Sequence, residues 1–294
     1  MTTISPFLQD IVTGQLKSAI LKTTPVSGGD ISQAVRLVLA DGRSVLLKWH
    51  NRAVTGMFSA ERWGLERLRA AESPLRIPAV WAQAEATDTT PAFIALEWLG
   101  QAAKTPTAGE RLGQGLAQLH RATAELYGLE HDNFIGANPQ PNRQTNQWLE
   151  FFREQRLGFQ IELAGWQGYL SAIGTSRLER LLARLGDWLP AKPPASLLHG
   201  DLWGGNWLVT ETGEPALIDP AVYYGHREAD LAFTELFGGF PPAFYEAYQA
   251  VWPLDPSYGE RKEIYNLYHL LNHLNLFGGS YLASVESVAA RFGR

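Results

Sequence analysis

The sequence predicts an α+β chain in two parts, a small β-rich half over residues 1–99 and a larger helical half over residues 100–294. Three observations carry this reading. Val35, Leu37 and Leu39 fall in alternation, Asp41-Gly42 follows as a hairpin turn signal, and a second β-rich run covers Ser44 to Trp49. Beyond residue 108 the apolar residues recur mainly at helical spacing. Inside that helical half a short β-like island runs from Leu197 to Asp219.

In chain order, residues 55–71 follow the hairpin as a helix, with Phe58, Trp63, Leu65 and Leu68 on its apolar face. Strands are expected at Ala79–Ala84 and Ala92–Trp98, the second ending at Gly100. Residues 100–107 read as a linker. Leu112, Leu116, Leu119 and Leu126 place a core-facing stripe on a helix over 108–127, whose acidic residues form a solvated face. Asp132–Arg143, rich in Asn, Pro and Gly, reads as a long ordered loop. Further helices are expected over 145–171, 174–188, 242–252 and 261–277.

Composition narrows the function. A chain that is 45% hydrophobic and 19% charged has the means to build a core and is not a disordered type. No apolar run approaches the ~20 residues that span a bilayer. The N-terminus lacks the basic-then-apolar pattern of a leader, so a cytoplasmic protein without a membrane partner is expected. The absence of cysteine excludes disulfides, thiolate catalysis and thiolate-bound metals. A net charge of −5 without a Lys or Arg block argues against a nucleic-acid partner. Monomer and weak homodimer both stay open.

The sharpest motif is His199-Gly200-Asp201-Leu202-Trp203-Gly204-Gly205-Asn206, followed by Ile218-Asp219-Pro220. Asn206 lies five positions after Asp201, the spacing at which a catalytic loop pairs a proton-accepting Asp with an Asn that helps hold Mg²⁺. A second Asp beyond a hairpin is the other Mg²⁺ ligand of that chemistry, and Asp219 follows such a segment. Hard oxygen donors suit Mg²⁺. A Gly-, Asp- and Asn-rich turn is the bland alternative, and it leaves Asp219 as a coincidence.

The N-terminal half offers the nucleotide's partners. Lys48 sits in a strand that reads as buried, where an ammonium needs a countercharge. Glu61 on the following helix is the expected partner, with Glu66 as competitor. Gly28, Gly29 and Ser32, ahead of that strand, form a candidate phosphate loop. Glu97, Trp98 and Leu99 end the last strand where main-chain groups of a two-lobed ATP site bind the adenine edge. Trp203 is a candidate to stack on the acceptor, with core packing as its alternative. Tyr224 and His226, close after Asp219, are further acceptor candidates. His120 reads as structural, tying its helix to the catalytic loop. His269 and His273 share a helical face, but Leu270 stands where a zinc-protease motif needs Glu.

Together these segments resemble the fructosamine kinase, or ketosamine-3-kinase, family, a branch of the protein-kinase-like fold near the aminoglycoside phosphotransferases. The resemblance rests on His199–Asn206, on Asp219–Glu228 with Leu231-Ala232, and on Leu236–Phe240. It extends to Met57, Phe58, Glu61 and Leu65, to Asn133–Gly136, Trp148–Arg156, Leu271–His273 and Phe277-Gly278, nearly the whole chain. It implies a bilobal fold with ATP and Mg²⁺ as cofactors. It also implies transfer of the γ-phosphate to the O3 hydroxyl of a free or protein-bound ketosamine, a step in deglycation repair. Bacterial members tend to prefer ribulosamines and erythrulosamines. Asp30 stands where many members carry a cysteine, which removes any thiol control of that loop. An aminoglycoside or amino-alcohol kinase of the same fold, and a non-catalytic nucleotide-binding scaffold, are the rival readings.

Overall fold

A strand with one face buried and the other half-buried has a cover on each, as the N-terminal sheet does. The structure, a computed structural model, describes residues 4–26, 32–51 and 54–294. It opens with α1 (Pro6–Leu16), capped by the Ser5 hydroxyl, which accepts from Leu8 N–H at 3.2 Å. Next come β1 (Ile20–Pro25), β2 (Gln33–Leu39), β3 (Ser44–His50), α2 (Met57–Ala70), β4 (Val80–Ala84) and β5 (Ala92–Glu97). The strands form an antiparallel sheet in the order β1-β2-β3-β5-β4. Leu8, Val12 and Leu16 of α1 cover one face, against Val35, Leu37, Val45, Leu47, Trp49 and Phe93. Phe58, Leu65 and Leu68 of α2 share a second cluster with Ile94 and Leu96 on the other. The β2–β3 hairpin has the expected turn, with Gly42 at φ 88° and the Asp41 carboxylate accepting from Arg43 N–H at 3.0 Å.

The chain continues through β6 (Gln101–Ala102), α3 (Pro106–Leu119), β7 (Thr123–Ala124) and the small hairpin of β8 (Asn133–Ile135) and β9 (Asn138–Gln140). Then α4 (Trp148–Phe151) runs through a π-helical turn at Phe152–Gly158 into α5 (Phe159–Trp166), followed by α6 (Ala172–Ala183). The island is β10 (Ala195–Leu198), β11 (Trp207–Thr210), β12 (Pro215–Leu217) and β13 (Tyr223–Gly225). The chain ends in α7 (Glu228–Leu236), α8 (Pro242–Val251), α9 (Tyr258–Phe277) and α10 (Leu282–Phe292). Among the described residues no helix is long and apolar enough to cross a membrane.

Two expectations are corrected. Residues 100–107 are not a free linker: Gln101 and Ala102 pair with Thr210 and Val209, and the Thr105 hydroxyl caps α3, which already includes Pro106. The helix expected over 108–127 stops at Leu119, because the next residues turn to pair Thr123 and Ala124 with β10. Leu126 therefore leaves the stripe and is 36% exposed. Gly113 of α3 explains a close helix contact: a Cβ there would lie 2.1 Å from the Phe244 carbonyl oxygen of α8.

Candidate active site

Strand periodicity aims the first site residue. Val45, Leu47 and Trp49 of β3 point at α1, so Lys48 points the other way, toward α2. Its Nζ donates to Glu61 Oε1 and to Asp219 Oδ1, each at 2.8 Å. Burial disfavours the ammonium, but the Asp219 and Glu61 carboxylates outweigh it and hold the Lys48 pKa above its ordinary value. Glu66 is excluded as the partner, since it pairs with Arg62 one turn away at 2.8 Å.

The island supplies the rest. β10 delivers the chain to His199, and Gly200 follows at φ 80°, where a Cβ would lie 1.9 Å from the Ala221 carbonyl oxygen. Only glycine lets the two segments approach this closely. His199 Nε2–H donates to the Ile218 carbonyl at 2.9 Å, and Nδ1 accepts from Asp201 N–H at 3.3 Å. Burial lowers the His199 pKa, in keeping with this neutral tautomer. Asn206 Nδ2 donates to both Asp201 O (2.8 Å) and Asp201 Oδ2 (2.9 Å), and reaches Asp219 O at 3.4 Å. Asp219 itself has φ 54°, a left-handed conformation that a non-glycine residue adopts rarely.

This arrangement suits a divalent cation. Because Nδ2 of Asn206 is committed to Asp201, its Oδ1 is the atom left to ligate. Asp219 engages Lys48 through one oxygen, and its side chain is 46% exposed. The donors are hard oxygens few in number, as Mg²⁺ uses when phosphates complete its shell. The Asp201 carboxyl is pushed up to about 7, chiefly by burial, with Asn206 lowering it and Asp219 and Asp230 raising it. A carboxylate held there is poised to accept a proton near neutrality.

Reading the sequence misses the residues that hold this loop. Asp230, buried near the start of α7, accepts from His199 N–H (2.7 Å) and Gly200 N–H (2.9 Å). An acid in the apolar stretch Ala229–Phe233 is the signal that marks it. His120 joins α3 to Asp230 at 3.2 Å, as its structural reading anticipates. Arg156, fully buried in the π-helical turn, binds Pro141 O (2.6 Å) and Asn142 Oδ1 (2.7 Å). Asn142 in turn donates to Asn133 Oδ1, and Asn133 and Gln140 donate to the carbonyls of Val222 and Ala221. Residues 132–143, expected as a loop, thus contain the β8–β9 hairpin and brace the segment after Asp219. Lys104 donates to the Gly204 carbonyl at 2.6 Å and lies 4.2 Å from the Trp207 ring, closing the loop from the other side.

The remaining candidates are dispersed. Gly28 and Gly29 lie outside the described residues, as does Asp30, while Ser32 is half-buried just before β2. Glu97 pairs with Arg76 and accepts from Ala79 N–H, and Trp98 N–H donates to Ser44 O at 3.1 Å. Leu99 is half-buried, next to Gly100, whose carbonyl accepts from Glu211 N–H at 3.1 Å. Trp203 is 42% exposed, so its alternative as a core residue is set aside. Tyr224 lies beside Arg67 of α2 and pairs through its main chain with Gly128. The expectation that His226 faces acceptor is corrected. It is buried, with Nδ1 2.7 Å from the Tyr265 hydroxyl and its ring edge-on to Trp148. His269 stacks on Phe233 at 3.5 Å and His273 Nδ1 meets the His269 carbonyl at 2.7 Å, a packing arrangement. Among the described residues no cluster of three or more His, Cys, Asp or Glu is placed to hold a metal.

Sequence comparison decides what this geometry belongs to. The profile of the family described as fructosamine kinase matches residues 2–292. The chain belongs to the fructosamine kinase family. A probable ketoamine kinase of Synechocystis sp. is 43% identical over 90% of this chain and 87% of its own. The chloroplastic protein-ribulosamine 3-kinase of Arabidopsis thaliana is 36% identical over 96% and 86%. Among solved structures, a putative fructosamine-3-kinase of Thermobifida fusca superposes with a TM-score of 0.86 at 32% identity, covering 97% of this chain and 98% of that one. An amicoumacin kinase shares the fold alone, with a TM-score of 0.62 at 16% identity. The chain is a kinase of protein-kinase-like fold, and membership of a kinase family implies ATP as phosphoryl donor.

Proposed function

We propose that this fructosamine kinase family member transfers the γ-phosphate of ATP, with Mg²⁺, to the O3 hydroxyl of a ketosamine. The single observation that supports it best is the hydrogen-bonded set Lys48–Asp219–Asn206–Asp201, which brings together a phosphate-neutralising cation, two side chains that keep an oxygen free for a metal, and a proton acceptor.

Asp201 accepts the proton of the attacking hydroxyl while Asn206 holds the carboxylate in place. Lys48, anchored by Glu61, neutralises charge on the nucleotide phosphates. Asp219 and Asn206 would hold Mg²⁺, which would supply neutralisation of phosphate charge. Trp203 offers an exposed ring face to the sugar or its amine. Glu97, Trp98 and Leu99 give main-chain contacts to adenine, and Gly28, Gly29 and Ser32 cover the phosphates. Residues 1–99 serve the nucleotide and residues 100–294 carry catalysis and acceptor binding. Catalysis comes chiefly from positioning and electrostatics. The 3-phosphate product is unstable and sheds its sugar, so the reaction frees a glycated amine in deglycation repair. The acceptor is free or protein-bound, and the reaction is cytoplasmic.

The test is ATP consumption against ribulose-lysine, erythrulose-lysine, fructose-lysine, kanamycin and choline. Turnover on a ketosamine that disappears in Asp201→Asn supports the proposal. Turnover on kanamycin or choline alone overturns the substrate, and ATP binding without any turnover favours a scaffold.

A further inference from the structure

Away from Asp201, α7, α8 and the start of α9 border an open cavity of about 410 Å³ lined in part by Leu231, Glu235, Tyr245, Tyr248, Leu254 and Tyr258. That volume is in the range that takes a small molecule. The cavity does not share the face of α7 that packs on the later part of α9. Phe233 and Phe237 look toward His269 and His273, whereas Leu231 and Glu235, one turn apart, look into the cavity.

The lining states the ligand's chemistry by elimination. Glu235 is neutralised, since Lys262 donates to one oxygen and Tyr258 to the other, both at 2.5 Å. The Tyr248 hydroxyl is committed within the protein. One side-chain donor remains among the described lining residues, the Gln249 amide, whose oxygen alone is engaged, by Leu254 N–H at 3.3 Å; the Thr234 hydroxyl gives its hydrogen to the Leu231 carbonyl at 2.7 Å, so the Tyr245 O–H donates to Thr234 Oγ1 at 3.1 Å. Three phenol rings, no uncompensated charge and one free donor fit a flat, neutral ring compound with an acceptor oxygen at its edge.

The cavity wall is also wired to the catalytic loop, and the direction of the wire is fixed by chemistry. Asp230 is an acceptor, so His120 donates to it through Nε2–H at 3.2 Å. His120 Nδ1 then accepts from the Tyr248 hydroxyl at 2.8 Å, and the Tyr248 oxygen accepts from Arg227 at 3.1 Å. Asp230 closes the chain on the amides of His199 and Gly200, adjoining Asp201. A ring pressed against Tyr248 acts on a continuous set of buried hydrogen bonds that ends at the reacting carboxylate's own loop.

We propose that this cavity is a regulatory site for a small neutral aromatic molecule bearing an acceptor oxygen, and that its occupancy is transmitted through Tyr248, His120 and Asp230 to the catalytic loop. The probe is benzamide, titrated into the full chain while the amide resonances of His199 and Gly200 are followed by NMR, with benzoate and benzylamine as charged counterparts. Benzamide is expected to bind saturably and shift both amides, with the charged analogues roughly tenfold weaker or more, the equivalent of one lost hydrogen bond. Leu254→Trp, which adds bulk at a lining position, is expected to abolish the response. Tyr248→Phe keeps the ring and the binding but uncouples the His199 and Gly200 shifts. Absence of saturable binding up to the solubility limit, binding indifferent to Leu254→Trp, or amide shifts that survive Tyr248→Phe each overturn the proposal. None of these readouts requires turnover, so they stand apart from the acceptor assignment.

Discussion

Asp201 sits where its ionisation is resisted, and this acts on rate and stability with opposite signs. With its carboxyl raised to about 7, mainly by burial, the protonated form is inactive as a proton acceptor. A cation at Asp219 and Asn206 lowers that value, so kcat/KM for the acceptor is expected to fall with a single proton as pH drops through 7 or just below. For stability the folded state binds more protons than the unfolded chain between the ordinary Asp range and about 7, so stability declines as pH rises through that window. Asp201→Asn removes the charge. It is expected to lose at least ~10²-fold in turnover while retaining nucleotide binding. The same variant is expected to stabilise the fold by about 2 kcal/mol at pH 8 and by little at pH 4. Thermal unfolding at the two pH values checks the sign. Glu61→Gln weakens a charge-assisted hydrogen bond to Lys48 worth about 1.5–3 kcal/mol. A ten- to hundredfold loss in kcat/KM for ATP is the expected result, measured by steady-state kinetics.

Several short elements hold the site together, and what the sequence reveals of them depends on whether their contacts are local. The β2–β3 hairpin is readable because alternation and Asp41-Gly42 are local signals. The Lys48–Glu61 pair follows from strand and helix periodicity together. The catalytic loop is readable because its Asp-to-Asn spacing is a chemical constraint. The end of α3 is not, because Leu126 keeps the leucine spacing while β10 recruits residues 123–124. Nor is the Arg156 brace, whose partners are assembled by tertiary folding and whose π-helical turn has no periodic signature. His226 illustrates the converse: adjacency to Asp219 in sequence suggests a site residue, while β13 carries it into the core beside Tyr265. Asp230 is the element-scale test. Asp230→Ala strands the amides of His199 and Gly200 without an acceptor, and a loss of about 3–5 kcal/mol is expected by urea unfolding, with activity falling alongside. Gly200→Ala meets the Ala221 carbonyl and a positive φ at once, so it is expected to destabilise by more than ~1–3 kcal/mol of backbone strain alone.

At the scale of the whole molecule, Lys48 and Glu61 from the N-terminal sheet and α2 meet Asp219 from the island. The hydrophobic cluster that contains Ile94 and Leu96 also contains Leu112, Leu198 and Leu217, so sheet and helices share a core beneath this contact. On the proposed site, nucleotide and cation would bind where the two parts meet, and they are expected to stabilise the fold by about 2.7 kcal/mol at a hundredfold excess over Kd. Asp219→Ala removes both the proposed cation ligand and the Lys48 contact, and the nucleotide-induced rise in Tm is expected to vanish with it. The most direct test of the central claim is ketosamine-dependent ATP turnover, measured with ribulose-lysine for the unaltered chain and for Asp201→Asn. The account predicts turnover in the first and its loss, with nucleotide binding intact, in the second; equal turnover in both contradicts it.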